Sequence, residues 1–176
     1  KEGERNGKIN LIPGFDPHVE NIRELKRYMD LMGVDCTVLA DNSEAFDSPL
    51  TGEYEMYKGK TTLADAADSV NAAATLSMQA YATIKTLNAF KVQYGQETPA
   101  FNYPLGISAF DAFLMKVSEI TGKSIPEAVE WERGLAVDAA TDAHQYFHGR
   151  RFSLFGDPDL MIGLVGFLME MGAEPV

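Results

Sequence analysis

Residues 151–172 read RFSLFGDPDLMIGLVGFLMEMG, and the order of residue types in this stretch decides the fold. The apolar run RFSLFG predicts a strand. Asp157 can cap the N-terminus of a following helix, and Pro158 suits its first turn because proline has no N–H to leave unsatisfied. Gly172 can take the left-handed conformation that ends a helix. The stretch therefore predicts a strand, a loop and a helix, a unit of the kind that builds parallel sheets.

A second stretch, at residues 8–33, follows the same order of strand, loop and helix. It gives KINLIPG, then Asp16-Pro17, then VENIRELKRYMDLM, and it closes on Gly33. Asp16 and Asp157 lie 141 positions apart, which is close to the length of a domain. We therefore assign the two units to two similar α/β domains rather than to one sheet.

Further elements are predicted after the first of these units. VDCTVLAD predicts a second strand, and residues 41–62 predict a long loop because they are rich in Asp, Ser, Gly, Thr and Pro. The pattern then predicts a helix at residues 63–74, a short strand at TLSM and a helix at residues 81–94.

The segment before the second unit is predicted to be mainly helical. Residues 99–103 predict a strand. Apolar residues spaced three and four apart predict a helix at residues 108–121, ended by Gly122. Ser124 is predicted to cap a long helix from Pro126 to about Phe147.

Composition excludes several classes of protein. The formal net charge of −11 disfavours a nucleic-acid partner or an anionic membrane, because phosphate repels an acidic surface. No run of 18 or more uncharged apolar residues occurs, so we expect a soluble protein without a membrane span. We further expect its location to be cytoplasmic. Cys36 is the one cysteine, which excludes an internal disulfide or a closed thiolate metal site, and we expect it to be buried. From its two ends, we expect the chain to be an interior piece of a longer polypeptide.

Asp138 and Asp142 are the first candidates for a metal site. They stand four residues apart on the predicted long helix, so their carboxylates project from one face. Like charges at this spacing weaken a helix by a few tenths of a kcal/mol unless a cation sits between them. Spacing alone favours a solvated acidic face or an ion pair over a metal ion. Two carboxylates would supply only part of a calcium or magnesium site, which water or another chain would complete.

Other candidates carry weaker signals. His144 and His148 have zinc-ligand spacing, but Gln145 stands where a zinc-protease helix has its glutamate, so capping, packing or partner contacts are favoured. The turn at residues 156–159 lacks a glycine-rich fingerprint and a P-loop lysine, so we do not predict nucleotide binding there. No nucleophile and base form a recognisable pattern, and we predict no catalytic residue.

Four segments together resemble one family. They are KINLIPGF at residues 8–15, MYKGKTT at 56–62, FLMKVSEI at 113–120 and ERGLAVDAATDAHQYFHGRRFSLFGDPD at 132–159. In this order, from about Gly7 to Val176, they resemble the β subunits of molybdenum-iron nitrogenase. The resemblance implies Rossmann-like three-layer units with parallel sheets. It implies a first domain at residues 1–104, a helical connection at 105–148 and the start of a second domain at 149–176.

The resemblance also implies a function for the whole protein. Family members are α2β2 tetramers that reduce dinitrogen to ammonia with electrons from an ATP-hydrolysing iron protein. The implied partners are the α subunit, a second β subunit and the iron protein. The implied cofactors are an eight-iron, seven-sulfur P-cluster and an iron-molybdenum cofactor, both held outside this chain. We expect this piece to be structural, to form a subunit interface and to have no activity alone.

One metal site carries over by resemblance. The family places a cation between its two β subunits, and the aspartates of its VDxxTD pattern match Asp138 and Asp142. The cation would be calcium, magnesium or iron. Leu135 stands where the family pattern suggests arginine, so a vanadium or iron-only β subunit and a cofactor-assembly scaffold stay as alternatives. A non-catalytic α/β binding module is a further alternative.

Overall fold

A computed structural model describes residues 3–14, 18–44, 52 and 60–176 of the chain. These residues fall into two compact units. Unit 1 comprises residues 1–77 and 83–99, and unit 2 comprises residues 78–82 and 100–176. Among the described residues, none of the helices combines the length and the apolar character needed to cross a lipid bilayer.

Unit 1 is built on a three-stranded parallel sheet. Its strands are β1 (Ile9–Ile12), β2 (Cys36–Val38) and β3 (Ala74–Ser77), in the order β2-β1-β3. Leu11 lies opposite Val38 on one side and Leu76 on the other. The strands predicted at KINLIPG, VDCTVLAD and TLSM are therefore confirmed, and the fold is α/β with parallel sheets.

The helices of unit 1 are α1 (Val19–Leu31), α2 (Leu63–Asp68) and α3 (Ile84–Tyr94), and a 3-10 turn at Ser69–Asn71 follows α2. α1 ends before Gly33, which has a φ of +63°. The helix predicted at residues 63–74 ends at Asp68, because the chain must turn there to enter β3. The predicted cap at Asp16-Pro17 and most of the predicted loop at residues 41–62 lie outside the described residues.

A layer of buried polar side chains lies against β1 and β3. The Asn10 Nδ2 atom donates to the Ser69 carbonyl and to Thr75 Oγ1, both at 2.8 Å. Thr75 Oγ1 donates to Gln96 Oε1 at 2.5 Å. Gln96 Nε2 donates to the carbonyl oxygens of Ser69 at 2.8 Å and Val70 at 3.0 Å. We call Asn10, Thr75 and Gln96 the polar layer; its bonds offset the cost of burying amides and a hydroxyl.

Unit 2 contains three helices and a two-stranded parallel sheet. The helices are α4 (Ile107–Thr121), α5 (Glu127–Phe147) and α6 (Pro158–Glu170), and β4 (Arg151–Phe152) pairs with β5 (Glu174–Pro175). The Asp157 carboxylate accepts the Leu160 N–H at 3.2 Å, and Pro158 is the first residue of α6. The predicted strand, cap and helix of the second unit are therefore confirmed.

Two predictions in unit 2 were wrong. Residues 99–103 form no named strand: Asn102 makes an isolated antiparallel bridge to Gln79, and the carbonyls of Pro99 and Phe101 accept single N–H groups from Ser77 and Ala80. Tyr103 has a φ of +37°, which interrupts extended backbone. Ser124 does not cap α5, because the helix starts after Pro126, and no side chain bonds at this cap.

One predicted helix boundary was also wrong. The helix predicted at residues 81–94 begins at Ile84. The N–H groups of Tyr81 and Ala82 are instead bound by Asp159 within unit 2.

Candidate functional site

The helix α5 carries the candidate metal ligands and is barely covered by the chain. It is described over all 21 of its residues, and only Val129 among them is buried. Arg133 holds α5 to α4: its Nε lies 2.9 Å from both carboxylate oxygens of Asp111, and its Nη2 lies 2.8 Å from Oδ2. Helical propensity alone gives little stability in water, so a helix this exposed suggests that something else covers it.

One face of α5 mixes exposed apolar side chains with two carboxylates. We call this set the outer stripe; it comprises Trp131, Leu135, Asp138, Asp142 and Tyr146. Successive members are four, three, four and four positions apart, which places them on one side of a helix. The large side chains are exposed by 71% for Trp131, 56% for Leu135 and 70% for Tyr146. This pattern is typical of a surface that meets another protein.

Asp138 and Asp142 lie within the outer stripe and are both exposed. Within the described part of the chain, neither carboxylate accepts a hydrogen bond or faces a cation. The nearest arginine on the helix, Arg133, is already bound to Asp111. The described residues also contain no group of three or more His, Cys, Asp or Glu side chains placed to hold a metal ion. Asp138 and Asp142 therefore form at most half of a site that other groups must complete.

His144 and His148 lie at the C-terminal end of α5. Their rings stack, with centroids 5.1 Å apart and planes at 27°.

A cavity of about 310 Å³ lies in unit 2 beside α5, with Val137, Thr141 and His144 in its wall. Glu170 also lines it, but its carboxylate is occupied at the start of α4. That carboxylate accepts the N–H groups of Ile107 and Ser108, each at 3.0 Å, and the Ser108 hydroxyl at 2.8 Å. An anion at a helix N-terminus is stabilised by the helix dipole, so Glu170 has a structural role.

Asp159 is an important residue that its sequence position does not reveal. It is only 1% exposed, and its carboxylate accepts the N–H groups of Tyr81 at 2.9 Å and Ala82 at 3.0 Å. Both partners are nearly eighty positions away, so no local pattern could have identified them. The turn at residues 156–159 thus uses its two aspartates for structure, Asp157 as a cap and Asp159 as a buried acceptor.

The outer stripe, in contrast to Asp159, could have been identified from the sequence. Trp131, Leu135 and Tyr146 fall on the helical face of Asp138 and Asp142, and this spacing can be read from the sequence alone. Sequence reasoning considered only the two aspartates and missed the three apolar residues around them.

Cys36 lies in β2 and is half-buried. Burial, together with the negative charge of Asp30, raises the pKa of its thiol to about 11. A single cysteine supplies at most one of the several thiolates that an iron-sulfur cluster needs.

Comparison with known proteins gives a consistent result. All 176 residues match the family described as nitrogenase component 1 type oxidoreductase. The nitrogenase molybdenum-iron protein beta chain of Nostoc sp. (strain PCC 7120) is 57% identical over 176 residues, covering 100% of this chain and 34% of that relative. The beta chain of Bradyrhizobium diazoefficiens is 53% identical over 175 residues, covering 99% of this chain and 34% of that relative.

A solved structure agrees with these relatives. The structure titled "Nitrogenase Cp1 at pH 6.5" superposes with a TM-score of 0.90 and 40% sequence identity, covering 97% of this chain and 37% of that one. This chain spans about a third of the length of the curated relatives that it matches.

Proposed function

Because this chain belongs to the nitrogenase component 1 type oxidoreductase family, we propose that it is part of a molybdenum-iron protein β subunit. The whole protein would reduce dinitrogen to ammonia in the cytoplasm, with an ATP-hydrolysing iron protein as its electron donor. The P-cluster and the iron-molybdenum cofactor would be held by residues outside this chain, since Cys36 alone cannot supply a cluster's thiolates. Residues 1–104 and 149–176 would belong to two Rossmann-like domains joined by residues 105–148.

The role we propose for this chain is to form a subunit interface, and one observation carries it. The outer stripe presents Trp131, Leu135 and Tyr146 to solvent around two carboxylates without partners in the described part of the chain. A second β subunit is the proposed cover, and the α subunit is a further partner of the whole protein. An apolar surface of the second subunit, packed on the outer stripe, would remove these large side chains from water. The burial of apolar surface is the main favourable contribution to protein association.

Asp138 and Asp142 are the proposed ligands of a cation at this interface. Carboxylate oxygens are the ligands that hard cations such as calcium and magnesium prefer, and iron also accepts them. Both side chains are exposed and lie one helical turn apart, so one ion can be reached by both. Ligands from the second subunit and water would complete the set, and the ion would remove the repulsion between the two charges.

The test uses the intact protein that contains this chain, with Asp138→Asn and Asp142→Asn combined. The matched control combines Glu127→Gln and Glu130→Gln, which removes the same charge from the first turn of the same helix. We expect the aspartate variant to lose the interface cation in metal analysis. We also expect its β subunits to associate at least about tenfold more weakly in sedimentation experiments. Unchanged metal content and unchanged association would refute the proposed site.

A further inference from the structure

A bidentate ion pair joins α5 to α4. The Nε atom of Arg133 lies 2.9 Å from both carboxylate oxygens of Asp111, and its Nη2 atom lies 2.8 Å from Oδ2. A planar guanidinium that meets a carboxylate through two N–H groups fixes the direction of the contact as well as its distance. The helix α4 buries Phe113, Leu114 and Val117, so Asp111 stands on a firmly packed element. The pair therefore ties α5 to a fixed support.

The other side chains of α5 do little to hold its orientation. Val129 is buried, and Glu132, Ala140, Ala143 and Phe147 are half-buried. The two alanines have no side chain beyond Cβ, so they cannot interlock with a neighbouring helix in the way that larger side chains do. Within the described part of the chain, rotation of α5 about its own axis is therefore opposed chiefly by the ion pair.

Arg133 and the two candidate ligands lie on different sides of α5. At about 100° per residue, Asp138 is turned about 140° from Arg133 around the helix, and Asp142 about 180°. The guanidinium of Arg133 is bound to Asp111, on the neighbouring helix. Its effect on the two ligands therefore passes through the orientation of the helix. The side of α5 that is held against α4 determines the side on which the outer stripe is presented.

We infer that Arg133 and Asp111 are positioning residues, which fix the rotation of α5 and so direct Asp138 and Asp142 at the interface cation. The inference rests on the cation site proposed above. A site that is already oriented before binding loses less freedom when the ion binds, and so binds it more tightly. With the pair broken, α5 samples other rotations, and the apparent affinity falls with the fraction of molecules in the binding orientation.

The signs of the two charges distinguish positioning from a simple effect of charge. Replacing Arg133 removes a positive charge, and charge alone would then strengthen the binding of a cation. Replacing Asp111 removes a negative charge, and charge alone would weaken it. Positioning predicts that both replacements weaken binding. Arg133 is therefore the decisive residue of the test.

The test uses the intact protein that contains this chain, treated with a chelator to remove the interface cation and then dialysed against Ca²⁺ alone. We expect Arg133→Ala and Asp111→Asn each to raise the Kd for Ca²⁺ about two- to fivefold. The two changes combined should raise it no further than either one, because each breaks the same pair. Glu119→Gln is the matched control: it removes a carboxylate that pairs with Lys116 within α4, and it should leave the Kd unchanged.

Unchanged or tighter Ca²⁺ binding by Arg133→Ala would overturn the positioning role, and so would additive effects of the two changes. If Arg133→Ala does not fold, Arg133→Lys decides, because lysine keeps the charge but cannot form the bidentate contact. Wild-type affinity in Arg133→Lys would then overturn the role.

Combined Asp138→Asn and Asp142→Asn separates this inference from the proposed cation site. Full Ca²⁺ binding by that variant would refute the site itself, and the positioning role with it. Loss of Ca²⁺ by that variant, together with wild-type affinity in Arg133→Ala, would refute the positioning role alone.

Discussion

The carboxylate of Asp159 accepts the backbone N–H of Tyr81 at 2.9 Å, across 78 positions of sequence, and the next N–H, of Ala82, at 3.0 Å. Asp159 lies in the first turn of α6 and is only 1% exposed. A buried carboxylate is stable only when hydrogen bonds replace its lost hydration. Asp159 therefore helps to join residues 78–82 to the rest of unit 2, together with the backbone bonds from the Ala80 N–H to the Phe101 carbonyl and from the Tyr103 N–H to the Met78 carbonyl.

Replacing Asp159 with asparagine should destabilise the protein. One amide oxygen can still accept an N–H, but the NH2 group faces the other donor, so one charged hydrogen bond is lost and one N–H is left unsatisfied. We expect a loss of about 2–4 kcal/mol in the free energy of unfolding. Asp157→Asn is the matched control and should change it by less than about 0.5 kcal/mol, because asparagine caps helices as well as aspartate does. Denaturant titration of both variants measures the difference, and equal effects would contradict the prediction.

Two glycines of α6 should respond in opposite ways to alanine. A Cβ on Gly163 would lie 2.4 Å from the Tyr103 carbonyl oxygen and 2.5 Å from that of Asn102, so Gly163→Ala must push backbone apart. We expect it to destabilise by about 1–3 kcal/mol. A Cβ on Gly166 meets nothing within 4 Å, so Gly166→Ala should stabilise the helix by about 0.5–1 kcal/mol. Thermal unfolding compares the two; stabilisation by Gly163→Ala would be inconsistent with this packing.

Stability should fall in acid through Asp41. Burial raises the pKa of its carboxyl, but hydrogen bonds from Lys26 and Ser43 outweigh burial and bring the pKa below its ordinary value of 3.8. The Lys26 Nζ atom lies 2.8 Å from Oδ2, and the Ser43 N–H lies 3.0 Å from Oδ1. A group whose pKa is lowered on folding stabilises the protein above its unfolded pKa. That contribution is lost as the pH falls through the folded pKa.

The test of this acid dependence is Asp41→Asn. We expect the variant to be less stable than the wild type at pH 7, and we expect the difference to shrink below about pH 4. Asp30→Asn, at an exposed position of α1, is the control and should leave the acid dependence unchanged. Denaturation midpoints of the wild type and both variants, measured between pH 2 and pH 7, show whether the stability difference shrinks in acid for Asp41→Asn.

The Cys36 thiol should react slowly with alkylating agents. Its pKa is raised from 9.0 to about 11, chiefly by burial. The thiolate is the reactive form, so at pH 8 we expect alkylation by iodoacetamide about 100-fold slower than in the unfolded protein. Mass spectrometry of the peptide that contains Cys36 measures the rate under native and denaturing conditions. Equal rates would show that the thiol is accessible and ordinary.

The sequence predicted the elements whose signals are local. Asp157, Pro158 and Gly172 act within a turn of the helix that they begin or end, and that helix was placed correctly. The strand Ile9–Ile12 was likewise predicted from its own apolar run. Ser124 failed as a cap because Pro126, two residues later, itself occupies the N-cap position of α5.

The sequence could not predict contacts between distant segments. α3 starts later than predicted, at Ile84, and the N–H groups of Tyr81 and Ala82 donate to Asp159 instead. No residue near Tyr81 in the sequence indicates these long-range hydrogen bonds. The contact of His144 and His148 with Gly172 also depends on how α5 and the end of α6 meet. At the candidate metal site, the four-residue spacing of Asp138 and Asp142 could be read from the sequence. Only the structure shows that neither carboxylate has a partner among the described residues.

The polar layer has a consequence for how the strands find their alignment. Asn10 and Thr75 point to one side of β1 and β3, while Leu11 and Leu76, one position along, point to the other. A slip of one residue between the strands would invert this arrangement and leave an amide and a hydroxyl in an apolar environment without acceptors. Misaligned pairings thus carry a penalty of several kcal/mol. The buried hydrogen bonds select one alignment from the many that four-residue strands could adopt, and so contribute more to the accuracy of folding than to its driving force.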